Sequence, residues 1–172
     1  MHRIFSLLAL LMLVCSPSAA VADIGLARGW GDEIAWRSLP EGLVQAASEQ
    51  KPLCLLVWKT WCGACKALRP KFAASSAILA ESSNFVMVNV VDDEEPQDAK
   101  YKPGGAGYIP RVLFLRPDGS IMTDVQSGND QYKYFFGDPE GIVGAMRVAA
   151  KRAAAAALEG AVPPPEGENE DL

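Results

Sequence analysis

Histidine is almost missing from this chain: among 172 residues there is one, His2, next to the initiator methionine. Nothing beyond that position can serve as a histidine general base, complete a histidine-dependent triad or offer an imidazole to a metal. Basic residues are also in short supply, 16 Lys and Arg against 21 Asp and Glu, and they are scattered, not patched. With a net charge of −5 the chain lacks the positive surface that phosphate binding needs, which excludes nucleic acid as a partner. Long apolar runs are lacking too. The most extended, Ile4 to Val14, covers about 11 residues and is broken by Ser6, whereas a membrane span takes roughly 20. No Asn-x-Ser/Thr acceptor occurs, so N-glycosylation is not expected. There is no internal repeat and no second hydrophobic unit, which leaves a single globular domain.

The short apolar run has the layout of an export leader. Arg3 supplies the positive start, and Ala20-Val21-Ala22 ends it as a small-residue cleavage site, so residues 1–22 read as a signal peptide and no membrane anchor remains. Cys15 lacks the small preceding residue of a lipoprotein site, because Val14 stands there. Past the leader the chain holds 15 basic and 21 acidic residues, no histidine and three cysteines. An odd number of cysteines cannot all pair within one molecule. The domain is expected from Asp23 to Leu158. Residues 159–172, with the run Pro163-Pro164-Pro165 followed by Glu166, Glu168, Glu170 and Asp171, are expected to form a disordered acidic tail.

Within the domain, Ser38 and Glu41 stand at capping-box spacing before a first helix, with Leu39, Leu43 and Ala47 on one face. Leu53–Trp58 is a continuous apolar run, the pattern of a strand covered on both faces. From Gly63, the positions Cys65, Leu68, Phe72, Ser76 and Leu79 recur at helical spacing and predict one amphipathic helix kinked at Pro70. A second buried strand follows Asn84, then a polar loop, then a third strand at Arg111–Leu115. Pro117-Asp118-Gly119 turns into a hairpin partner over Ser120–Val125. Asp138 and Pro139 open a last helix striped by Ile142, Val143, Met146, Ala150, Ala153 and Ala157. The early strand-helix-strand unit must be parallel and right-handed and the late hairpin antiparallel. The expectation is an α/β fold with a mixed central sheet and helices on both faces, the element order of a thioredoxin fold.

The chemistry concentrates in Lys59-Thr-Trp-Cys-Gly-Ala-Cys-Lys66. Two cysteines at this spacing read as a metal clip, a structural crosslink or a redox centre. A closed zinc site wants four ligands, and three cysteines without histidine fall short of it, so no metal is expected. A crosslink closing so short a loop removes little unfolded-state entropy. The redox reading has more behind it: Cys62 at the start of a helix meets unpaired N–H groups and the positive end of the dipole, which favour its thiolate. Cys65, about one turn on and deeper, is placed to resolve a mixed disulfide held on Cys62. Cys54, inside the apolar strand, reads as a small hydrophobe. Trp58 at the strand end divides between core packing and a role at the site, while Trp61 is expected as an exposed docking residue. Lys59 and Lys66 are expected as solvated surface lysines.

Trp61-Cys-Gly-Ala-Cys-Lys66, with Pro70 four residues on, resembles the thioredoxin active site, and Tyr108-Ile-Pro-Arg111 before a strand resembles that family's cis-proline loop. Over nearly the whole domain the chain is similar to small endoplasmic-reticulum members of the protein disulfide isomerase superfamily related to the anterior-gradient proteins. The resemblance implies a protein-disulfide oxidoreductase with Cys62 and Cys65 as catalytic residues. It implies a cis Ile109–Pro110 bond, with Trp61, Ile109 and Pro110 binding an extended substrate segment. No cofactor is expected, and glutathione is implied as redox co-substrate. Secretory-pathway clients with thiols or disulfides are the implied partners, and the protein is expected to be monomeric in the reticulum lumen. Three features depart from the family pattern. Leu56 stands six residues before Cys62, where a buried acid is usual; Gly63-Ala64 lacks the histidine of typical isomerases; and the chain ends Asn169-Glu-Asp-Leu172, a degenerate retrieval signal. Two other readings fit the same residues: a client-holding module whose cysteines tune binding, and a thioredoxin-like protein of a bacterial periplasm.

Overall fold

Six consecutive apolar residues, Leu53–Trp58, have no polar face to turn toward water. In the computed structural model of the protein they form an interior strand that is buried along its whole length. The structure describes residues 24–160, so the expected leader and all but the first two residues of the expected tail lie outside the described residues. Strands β1 (Trp36–Arg37), β2 (Leu53–Trp58), β3 (Val86–Val91) and β4 (Arg111–Leu115) lie in the order β1-β3-β2-β4. β3 runs parallel to both β1 and β2, and β4 is antiparallel to β2. With helices α1 (Leu39–Glu49), α2 (Gly63–Ala73), α3 (Ser76–Ser82) and α4 (Pro139–Gly160) on its two faces, this is the expected thioredoxin fold.

Alternation along the strands divides the core. Leu53, Leu55 and Val57 of β2 join Val86, Val88 and Val90 of β3 and Leu113 and Leu115 of β4 under α1. Cys54, Leu56, Trp58, Met87, Val112 and Phe114 face the other way, against Leu68 and Phe72 of α2, Ile78 of α3 and Ile142 and Met146 of α4. The N-terminal segment, which carried no expected element, adds to this second face. Trp30 meets Phe72 edge-on at 5.4 Å and Trp58 at 5.7 Å, and Trp36, on the edge strand β1, lies 6.1 Å from Phe72.

Four local expectations are corrected. The Ser38 hydroxyl makes no cap to the helix backbone; it donates to the Glu41 carboxylate at 2.7 Å, while Pro40 removes one of the orphan N–H groups. The buried stripe of α1 runs through Gly42 and Ala46, leaving Ala47 exposed, because the missing side chain at Gly42 lets the helix sit down on β2 and β3. The helix after Gly63 is two helices, and the break falls past Pro70 at Ala74–Ser75. There the Ser75 hydroxyl accepts the Ile78 N–H at 3.2 Å and starts α3 afresh. Ser120–Val125 is not a strand. It touches β4 through a single Leu115–Ile121 bridge and then turns away, the Val125 N–H bonding back to Met122 O at 3.1 Å. The other half of that β4 edge is taken by Tyr134, whose carbonyl accepts the Val112 N–H at 2.9 Å.

A methyl group at Gly42 would meet Val88 Cγ2 at 2.5 Å and Leu53 Cδ1 at 3.3 Å, both on fully buried residues. Better helix propensity contributes about 1 kcal/mol to Gly42→Ala, and overpacking against a stiff β-branched side chain costs about 1–3 kcal/mol. The substitution is expected to be net destabilising, lowering the urea midpoint with an unchanged slope. A raised midpoint would show that α1 can lift from the sheet without cost.

Candidate active site

β2 delivers the chain to the top of the sheet at Trp58, and four residues later Cys62 is the N-cap of α2 with extended backbone (φ −76°, ψ 117°). Its Sγ accepts the Cys65 N–H at 3.1 Å, so the sulfur takes the place that a capping oxygen fills elsewhere. Cys62 and Cys65 are joined as a disulfide with their Cα atoms 5.3 Å apart. The pair is asymmetric: Cys62 keeps 6% of its surface and Cys65 only 1%. An attacking reagent therefore meets Cys62 first, and the Cys65 N–H in the first turn of α2 is aimed at its sulfur. The helix is held in this attitude by Cys65, Leu68 and Phe72, all buried, with Phe72 in the tryptophan cluster.

Across from the pair, the Ile109–Pro110 peptide bond is cis, and the Ile109 carbonyl oxygen lies 3.8 Å from Cys62 Sγ. Trp61 is 72% exposed beside it. Tyr108 packs edge-on against Tyr132 at 5.2 Å, and its hydroxyl accepts the Tyr134 N–H at 2.9 Å. The five residues singled out from the sequence thus fall in two segments, Trp61, Cys62 and Cys65 at the start of α2 and Ile109 and Pro110 in the loop before β4, with Cys62 and Ile109 meeting between them. Trp58 is a core residue: it is buried, its Nε1–H points to Asn89 Oδ1 at 3.4 Å, and the Arg69 guanidinium lies 5.6 Å from its ring centre.

The largest surprise is an ionic cluster. Lys59 is not a solvated lysine: its ammonium is 2.7 Å from a Glu95 carboxylate oxygen and donates to the Asp92 carbonyl at 2.6 Å. The other Glu95 oxygen pairs at 2.5 Å with Arg111, whose side chain is fully buried and whose Nη1 donates to Tyr108 O at 2.7 Å. Partial burial alone would raise the Glu95 carboxyl. The hydrogen bonds from Lys59 and Arg111, and their charges, outweigh that and hold it below its ordinary 4.5. In the sequence Glu95 is one more residue of the polar loop before β4. The available signal was Arg111 itself, a charge opening an otherwise apolar strand, which demands a buried acid.

Leu56 is buried opposite Asn89 in the β2–β3 ladder, and the Asn89 amide is already engaged by Leu26 O and the Trp58 indole. Among the described residues no Asp or Glu is buried in place of the usual acid. Among the described residues no group of three or more His, Cys, Asp or Glu is placed to hold a metal ion.

Comparison with known proteins agrees with this geometry. Residues 35–117 match the family described as Thioredoxin-like. The chain is 33% identical to mouse anterior gradient protein 3 over 74% of its length and 82% of that protein's. It is 30% identical to human anterior gradient protein 2 homolog, covering 73% of this chain and 72% of that one. A solution structure of a thioredoxin from Thermus thermophilus superposes with a TM-score of 0.53 at 15% identity, over 79% of this chain and 95% of that one, which bears on the fold alone. The chain belongs to the thioredoxin-like disulfide oxidoreductase family, with homology to the anterior gradient proteins of the protein disulfide isomerase superfamily. Its Cys62–Cys65 pair is that of a protein-disulfide oxidoreductase.

Cys54 is the free cysteine among the described residues, and burial pushes its thiol up from the ordinary 9.0 to about 12. A thiol so raised stays protonated through neutral pH. Its burial contributes stability that is complete below pH 9 and is lost as the pH climbs toward 12. In the reduced, folded protein at pH 8, iodoacetamide is expected to label Cys62 and to spare Cys54 until denaturant is added. Labelling of native Cys54 at a rate near that of Cys62 would show that β2 opens to solvent.

Proposed function

We propose that this protein exchanges disulfides with secretory-pathway clients in the endoplasmic reticulum, through a mixed disulfide on Cys62. In the reducing direction the Cys62 thiolate attacks one sulfur of a client disulfide, forming a Cys62–client bond and releasing the other client sulfur as a thiolate. The Cys65 thiolate then attacks Cys62 Sγ, forms the Cys62–Cys65 disulfide and frees the second client thiol. Two electrons have passed to the client. Two glutathione thiols return them to the pair and leave as glutathione disulfide. The same steps run backward when the client is the better reductant, so the compartment's poise sets the direction.

The observation that carries this reading is the cysteine pair at the N-terminus of α2, with Cys62 Sγ 3.8 Å from the Ile109 carbonyl. An extended client segment paired with the Ile109 backbone would present its sulfur to Cys62, with Trp61 and Pro110 flanking it. The finer likeness guiding the reading is to thioredoxin domain-containing protein 12, with retention of both cysteines as the feature in common with full two-thiol chemistry. Residence in the reticulum lumen is supported by the leader-like pattern of residues 1–22 and the anterior-gradient homology.

Cys65→Ala is expected to accumulate covalent adducts through Cys62 with disulfide-bearing secretory proteins, seen as slower bands on a non-reducing gel and abolished by Cys62→Ala. Absence of adducts in Cys65→Ala, or their persistence without Cys62, would overturn the mechanism. Noncovalent capture that survives loss of both cysteines would favour a client-holding role instead.

A further inference from the structure

The two segments that meet at the redox pair follow β2 and precede β4, with Cys62 and Ile109 47 residues apart in the chain, and Glu95 joins them. On one side its carboxylate takes Lys59, three residues before Cys62, at 2.7 Å. On the other it takes Arg111, the residue after cis-Pro110, at 2.5 Å. Arg111 is also tied to the backbone of its own loop, and Lys59 to the backbone of the segment that carries Glu95. Arg111 Nη1 reaches back 2.7 Å to the carbonyl of Tyr108, spanning Ile109 and Pro110. Lys59 Nζ donates to Asp92 O at 2.6 Å, and the Asp92 carboxylate accepts the Thr60 N–H at 3.0 Å. Asp92 does this from a left-handed backbone (φ 48°), a conformation that a non-glycine residue keeps only where its surroundings impose it.

The bridge is unusually committed. Arg111 has no exposed side-chain surface, and among the described residues its Nε has no partner and its charge is balanced by Glu95 alone among the carboxylates. A buried guanidinium cannot be left unpaired without several kcal/mol of cost, so Glu95 is held where Arg111 needs it. Lys59 is then drawn to the same carboxylate, which sets how far apart the Cys62 loop and the Ile109 loop stand.

We infer that Glu95 is a positioning residue for substrate. By clamping Lys59 and Arg111 it fixes the gap between Cys62 and the Ile109–Pro110 backbone into which a client segment must fit. It touches neither sulfur, so it acts on how an extended peptide is held and not on how reactive Cys62 is. The inference rests on the disulfide-exchange reading above and adds the element that governs its binding step.

The test uses the full chain with two probes: a self-quenched peptide pair joined by one disulfide, and iodoacetamide. In Glu95→Gln, checked for folding by circular dichroism and a thermal melt, the KM for the disulfide peptide is expected to rise about tenfold with kcat within about twofold. Alkylation of reduced Cys62 is expected to proceed at the wild-type rate. Lys59→Met cuts the same tie while leaving Arg111 paired, so it reads out the clamp even where Glu95→Gln does not fold. Combining the two is expected to raise KM little further than either alone. A folded variant with unchanged KM, or alkylation slowing in step with peptide reduction, would overturn the assignment. A wild-type chain that is alkylated at Cys62 but leaves the peptide oxidised defeats the disulfide-exchange reading, and this inference falls with it. Wild-type turnover with an indifferent Glu95→Gln defeats the positioning role alone.

Discussion

Leu68 and Phe72 hold α2 down on the sheet, and Phe72 in turn meets Trp30 and Trp36, with Trp58 against Trp30. This packing fixes the helix's first turn at the end of β2, so Cys62 stands where backbone N–H groups converge and Cys65 stands one turn deeper. The asymmetry between the two sulfurs is therefore a product of apolar packing several residues away. Truncating Phe72 would cost stability of about 3–5 kcal/mol as a core aromatic, and it would also loosen the seat of the reactive thiol. Stability and reactivity share the same contacts.

The second constraint is the burial of Arg111. A buried ion pair stabilises little in net terms, since desolvating both charges offsets most of their attraction. What it supplies is direction: a planar guanidinium bonded to Tyr108 O and to Glu95 admits few arrangements of the loop between them. The cis Ile109–Pro110 segment is thereby framed on one side by its own strand and on the other by a loop that the sequence presents only as an acidic stretch.

The strands were legible because apolar runs have one interpretation in a domain this size. Leu53–Trp58 and Arg111–Leu115 fall where composition puts them. The redox pair was legible because two cysteines on a helix start admit few other uses without histidine. The stripe of α1 was misread by one position, since a glycine registers as no side chain at all, and only the sheet beneath shows that Gly42 is the contact. One helix with a kink at Pro70 was expected because proline is the stronger local signal, yet α2 runs through Pro70 to Ala73 and the break comes where Ser75 caps α3. Glu95 was hidden for a different reason: a carboxylate in a polar loop takes on meaning only once tertiary structure brings two cations to it.

That clustering also decides what steadies the Cys62 thiolate. Lys59, three residues upstream, is the nearest basic residue before Cys62 in the sequence, but its ammonium is spent on Glu95 and the Asp92 carbonyl. Lys66 is exposed and solvated, and a lysine in water screens poorly for a sulfur it does not touch. Gly63 and Ala64 bring no side-chain donor. The remaining source of stabilisation is the helix itself, through the Cys65 N–H at 3.1 Å and the aligned peptide dipoles behind it. Backbone donors do not titrate and hold their place as long as α2 does, so the reactivity of Cys62 follows the integrity of the helix more than the charge of any neighbour. The apolar seat beneath Phe72 and the chemistry at its far end are in this sense one device.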